Sequence, residues 1–127
     1  HTNPQDQGYF LWLAICRRYK FIADFAVEGI RERFVSLKTE LHYEDFDFFF
    51  NRKSELHAEL DEIRLSTRNK LRQVLFKMLR QADLLTSNNI INPAMLSPSF
   101  LETIPPGCFH EVLFFPVFES DLRGSLL

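Results

Sequence analysis

Between Ser66 and Asp83 the apolar residues Leu71, Val74, Leu75, Met78, Leu79 and Ala82 recur at three- and four-residue spacing, and the series continues to Leu85. Only an α-helix gathers such a series onto one side. Ser66 offers a side-chain oxygen suited to capping the helix start, and the polar run from Asp83 to Asn89 closes the helix and turns the chain. The remaining surface of this helix is basic. From Arg64 to Ala82 there are six cations (Arg64, Arg68, Lys70, Arg72, Lys77 and Arg80) and no acid, whereas Glu40 to Glu62 holds eight acids against Arg52 and Lys53. Phe76 falls on the polar side beside Gln73 and Arg80, so it must cover another element or stack on a partner.

This segregation matters because the whole chain is mildly acidic, with a formal net charge of -2 and a pI near 6.1. A globally basic nucleic-acid binder is excluded, and any such binding has to come from a local surface. The length of 127 residues fits one domain, within the usual range of roughly 100 to 200. The 14 Phe give it large apolar surfaces to bury.

The rest of the chain also reads as mainly α. Residues 1–8 hold little apolar material and are expected to be a disordered or processed start, with further sequence upstream, ahead of a single helical domain over 9–127. Tyr9 to Leu41 lacks proline, and Leu11, Ile15, Tyr19, Ile22, Ala26, Ile30, Phe34 and Leu37 recur at helical spacing. One long helix or two stacked ones are expected there, with Gly29 the expected irregularity because glycine weakens a helix interior. A second helix should start near Glu44, with Glu44, Asp45 and Asp47 where the helix dipole favours acids, and end near Lys53. Phe46, Phe49 and Phe50 share one face of it. Ser54 to Ile63 has a weaker helical pattern. Ile90-Ile91 before Asn92-Pro93 reads as a short extended segment, and Ser97-Pro98 starts a small helix that Pro105-Pro106-Gly107 ends. Phe109 to Phe118, interrupted by Pro116, reads as an edge strand or as part of an extended tail over 105–127.

A short helix, a turn and a longer basic helix, followed by a polar turn and an apolar pair, is the order of a winged helix. Residues 43–104 would form that unit, with a helix-turn-helix and a small β wing. The second helix of such a motif enters the major groove by its N-terminal residues. Thr67, Arg68, Asn69 and Arg72 would then lie nearest the bases. Arg64, Lys70 and Lys77 would meet phosphates, where charge suffices without fixed geometry, Arg80 would add to the DNA-binding surface, and Asn88 and Asn89 would sit at the wing tip. The competing reading is a solvated basic face balanced by the acidic helix before it.

Other chemistry has weaker support. His42, Glu44, Asp45, Asp47, His57 and Glu59 are rich in potential ligands, but no spacing forms a metal motif, and helix-dipole complementarity explains the acids. No metal and no cofactor are expected. Cys16 beside Arg17 and Arg18 is a nucleophile candidate only if the cations favour the thiolate; otherwise it is a small buried residue. Arg17, Arg18 and Lys20 either extend the basic surface or form a solvated turn. Cys16 and Cys108 form neither a disulfide framework nor a zinc pattern, and a reducing cytoplasm is the expected compartment. No apolar run approaches a membrane span, and no small-molecule substrate is evident.

Trp12 to Ile22, Phe25-Ala26-Val27-Glu28, Glu44-Asp45-Phe46 with Phe49, and Ser66 to Arg80 together resemble the BrxA family of bacterial BREX (bacteriophage exclusion) defence systems. The likeness runs from Tyr9 to Phe118 and is strongest over Ser66 to Leu85. It implies a non-enzymatic, all-helical, cytoplasmic protein, NusB-like and associated with DNA binding, of which this chain would be the C-terminal portion. Double-stranded DNA is then the expected ligand. A scaffold that assembles other BREX proteins and a NusB-like RNA binder are the alternatives. Two positions depart from the expected pattern: Gly29 replaces a larger helix former, and Asp83 stands where glycine commonly closes such a helix.

Overall fold

The computed structural model describes residues 3–118 and Ser120. Its first helix, α1 (Pro4–Arg18), starts earlier than expected. Asn3 accepts a 2.7 Å hydrogen bond from the Asp6 amide, and Pro4 occupies the first turn, where its missing N–H is no loss. Residues 4–8 are therefore helical, which corrects the expectation of a disordered start for that stretch; residues 1 and 2 lie outside the described residues. Asp6 is buried and accepts a 2.8 Å bond from Ser97 Oγ, which also caps the distant helix α7 (Pro98–Glu102) by accepting from the Phe100 amide.

α1 buries Tyr9, Trp12, Leu13 and Cys16, while Leu11 and Tyr19 face outward. The expected stripe through Leu11, Ile15 and Tyr19 is thus out of phase. Tyr19 is extended (φ -124, ψ 108) and breaks the helix, which resets the register before α2 (Lys20–Asp24). From there the chain runs through a π-helical segment (Phe25–Arg31) into α3 (Glu32–Val35). Ile22, Ala26, Ile30 and Phe34 are buried along this stretch, as the periodicity requires.

Gly29 lies inside the π-helical segment, so the irregularity falls where the sequence places it. A Cβ at Gly29 would stand 2.6 Å from two carbons of the Phe25 ring. The absent side chain is what lets that ring fold back over the helix. Phe25 then meets Phe46 and Phe49 edge-on, at centroid separations of 5.6 and 5.2 Å, and Phe21 adds contacts to Phe46, Phe49 and Phe50. These rings join the first helical layer to α4 (Tyr43–Ser54), whose start is held by the Asp45 carboxylate accepting from the His42 amide at 2.7 Å. The acids of this first turn sit as the helix dipole favours.

After the one-turn α5 (Ala58–Asp61) comes α6 (Leu65–Gln81). It closes through Asp83, whose φ of 60° is left-handed, with the Leu84 amide donating to the Leu79 carbonyl at 2.9 Å. Aspartate fills the glycine position because its short side chain tolerates this conformation. Gly8 brings α1 against this end of α6: a Cβ there would lie 3.2 Å from Ala82 Cα.

Residues 84–92 form a tight turn. Antiparallel pairing is confined to two single bridges, Leu85 with Ile91 and Glu40 with Ile90, so no longer strand occurs among the described residues. The Ile90-Ile91 segment is extended but is spent on stitching the turn to residues 39–41. The Leu41 amide donates to the Asn89 carbonyl and the Ile91 amide to the Thr39 carbonyl. The segment expected as an edge strand is corrected too. Pro106–Phe114 is a 3-10 helix kinked at Cys108, and only the residues after it are extended. Trp12 Nε1 holds this element by donating to the Phe114 carbonyl at 2.9 Å, and Phe115 and Phe100 pack edge-on against Tyr9. The remainder of the expected tail, residues 119 and 121–127, falls outside the described residues. The fold is mainly α.

Candidate nucleic-acid interface

α6 places the basic residues in two distinct settings. Arg64 is the N-cap, extended at φ -63 and ψ 148, and its carbonyl receives the first helical bond from the Arg68 amide. Ser66 is therefore already inside the first turn and exposed, because the chain becomes helical at Leu65. The buried stripe is rotated as well. Leu75, Phe76 and Leu79 point inward while Val74 is partly exposed. Phe76 covers another element: it is fully buried and meets the ring of Tyr43 edge-on at 4.7 Å.

That rotation decides which cations reach solvent. Arg64, Thr67, Asn69, Lys70 and Lys77 are exposed, with Lys70 and Lys77 two turns apart on the outward face. The other arginines lie along the flanks and are engaged. Arg72 Nη1 donates to Asp47 Oδ2 at 2.6 Å and its guanidinium lies 4.6 Å from the centre of the Tyr43 ring. Arg68 Nη1 donates to Asn51 Oδ1 at 2.9 Å above the ring of Phe50. Arg80 donates to Asn89 Oδ1 over Phe76. Asn89 is left-handed (φ 63) and committed to Arg80, whereas Asn88 is exposed in the turn. The ten residues that the sequence points to are thus not one face. Five line the outward ridge and its N-terminal end, three arginines are held against neighbouring elements, and the two asparagines occupy the following turn.

The sequence pattern misses the partners Asp47, Asn51 and Tyr43. A signal for them exists: Asp47 to Asn51 and Arg68 to Arg72 are both one helical turn, so antiparallel helices pair 47 with 72 and 51 with 68. Beside this seam, Tyr43, Ser66, Asn69, Lys70, Arg72 and Gln73 line an open cleft of about 530 Å³.

Elsewhere the candidate chemistry is structural. Arg17 grips Glu111 of the 3-10 helix with two bonds, at 2.7 and 2.6 Å. Glu111 is buried, and the Arg17 hydrogen bonds hold its carboxyl below the ordinary glutamate range. Burial, with the Glu111 charge nearby, pushes the Cys16 thiol far above its usual range. Of the two readings of Cys16 the small buried residue holds, because the neighbouring arginine serves the carboxylate instead. Arg18 and Lys20 remain exposed. His42 lies 3.2 Å from Glu40 and His57 lies 3.7 Å from Glu59, yet among the described residues no three His, Cys, Asp or Glu gather as a metal site. No helix among them is long and apolar enough to cross a membrane.

Fold and site together define a small, mainly helical protein that sets one basic ridge against an otherwise acidic chain. The BrxA family model matches residues 1–105, and the chain belongs to the BrxA family. Membership makes it a component of BREX phage defence, acting among the other components of that system. No curated protein and no solved structure matches it.

Proposed function

We propose that this protein is a non-enzymatic, cytoplasmic nucleic-acid-binding component of its defence system, with double-stranded DNA as the ligand. The observation that carries the reading is the outward face of α6. Lys70 and Lys77 project from it two turns apart, Arg64 stands at its start, and the helix from Leu65 to Gln81 contains no acid. In helix-turn-helix fashion, α5 is the preceding helix, and Thr67 and Asn69 near the start of α6 approach the bases. The turn carrying Asn88 takes the place of a wing. Phosphate contacts by the lysines and Arg64 supply the affinity through counterion release.

A salt series with duplex DNA and with duplex RNA tests this. If the three phosphates met by these cations are neutralised, log affinity for DNA falls against log salt with a slope of about -2.7. Lys70→Glu with Lys77→Glu should flatten that slope by about 1.8 and weaken binding throughout. Salt-independent or undetectable DNA binding by the unaltered protein would reject the reading, and stronger binding to RNA would transfer it to that ligand.

One observation favours the scaffold alternative. Phe48, 68% exposed, stands on the outer side of α4 with the Arg52 guanidinium 6.0 Å from its ring centre. An exposed aromatic is a typical anchor in protein interfaces. If assembly is the role, Phe48→Ala should abolish association with other BREX proteins while leaving DNA binding unchanged.

A further inference from the structure

We infer that the cleft between α4 and α6 receives one unpaired nucleotide of the bound DNA. This inference rests on the DNA-binding reading above and specifies what its flank recognises. Four properties of the cleft carry it. Its volume of about 530 Å³ lies in the range of small-ligand sites, and it opens to solvent. Its lining sets the Tyr43 ring and the Arg72 guanidinium, 4.6 Å from the ring centre, beside the carboxamides of Asn69 and Gln73 and the hydroxyl of Ser66. Unpaired bases are held in this way, by aromatic or guanidinium planes and by hydrogen bonds to their Watson–Crick edges.

The third property is charge. The exposed Lys70 lines the cleft and brings a charge that suits a phosphate, while Arg72, held by Asp47, contributes its guanidinium plane. The fourth is position. Lys70 belongs both to the cleft and to the outward ridge, so a strand whose backbone follows Lys70 and Lys77 passes the mouth of the cleft and can turn a single base into it. A base within an intact duplex cannot enter, because its hydrogen-bonding edge is already paired.

The test compares a blunt duplex, the same duplex with a one-nucleotide bulge, and free deoxyadenosine monophosphate, using the full chain and the double variant Ser66→Ala with Gln73→Ala. Both altered residues are exposed. Unaltered protein should bind the bulged duplex about tenfold more tightly than the blunt one, the scale of one stacked base. The double variant should lose that preference and keep its affinity for the blunt duplex. Equal affinity for bulged and blunt DNA overturns the inference while leaving duplex binding intact, as does a preference that survives in the double variant. Binding of the free nucleotide with no bulge preference also overturns it and identifies a mononucleotide pocket. Absence of binding to any DNA overturns this inference and the parent reading together.

Discussion

Asp47 Oδ2 accepts a 2.6 Å hydrogen bond from Arg72 Nη1, so a carboxylate of the acidic helix occupies an arginine of the basic one. In the proposed interface this carboxylate sits where a phosphate oxygen would otherwise compete. Asp47→Ala should release Arg72, tighten duplex DNA binding several-fold and steepen the salt slope by about 0.9, the increment of one added phosphate contact. Loss of the pair should lower stability by about 1 kcal/mol, since both side chains retain some solvent contact. A salt slope identical to that of the unaltered protein would show that Arg72 stays out of the interface even when freed.

Glu111 and Arg17 make stability depend on acid. The Glu111 carboxyl is held below its ordinary value of 4.5 chiefly by the Arg17 hydrogen bonds, against the opposing effect of burial. A depressed carboxylate contributes stability that is fully present above its unfolded pKa and is lost as pH falls through the lower folded value. Thermal melts taken downward from about pH 5 should therefore lose stability more steeply for the unaltered protein than for Glu111→Gln. At neutral pH the glutamine variant should be less stable by about 2 kcal/mol, the worth of hydrogen bonds to a charged group. Parallel curves for the two proteins would contradict this account.

Gly29 and Phe25 form a size-matched pair. Gly29→Ala improves helix propensity by about 1 kcal/mol, but it drives a methyl into a ring that is fully buried between Phe46 and Phe49 and has no room to swing away. Overpacking of this kind costs about 1 to 3 kcal/mol, so the net change in denaturant unfolding should be destabilising. Phe25→Leu should weaken the core by itself and yet reduce the penalty of Gly29→Ala, giving a favourable coupling in the double-mutant cycle. Strict additivity would separate the two positions.

Much of this fold is legible locally. The π-helical irregularity contains the one glycine of a long helical run, the Ser97-Pro98 pair starts α7, and the acids of α4 occupy its first turns, because each follows from backbone preferences within a few residues. The phase of α1 is not legible in this way. It depends on the break at Tyr19 and on Trp12 reaching the Phe114 carbonyl, 102 residues away. Cys108 and its neighbours contain β-prone side chains but wind into a 3-10 helix, since Val112, Phe115 and Glu111 find their partners on α1 and in the core.

For the basic ridge the division is similar. That residues 65–81 form a helix carrying cations and no acid follows from the order of residues alone, because periodicity and charge are properties of consecutive residues. Which cations face outward is set by packing. Packing α4 antiparallel to α6 turned Phe76 inward and placed Asp47 and Asn51 opposite Arg72 and Arg68, while the turn after α6 set Asn89 against Arg80. Those pairings join residues up to 25 positions apart, and their contacts depend on the angle at which two helices meet, which the charge pattern of neither helix contains.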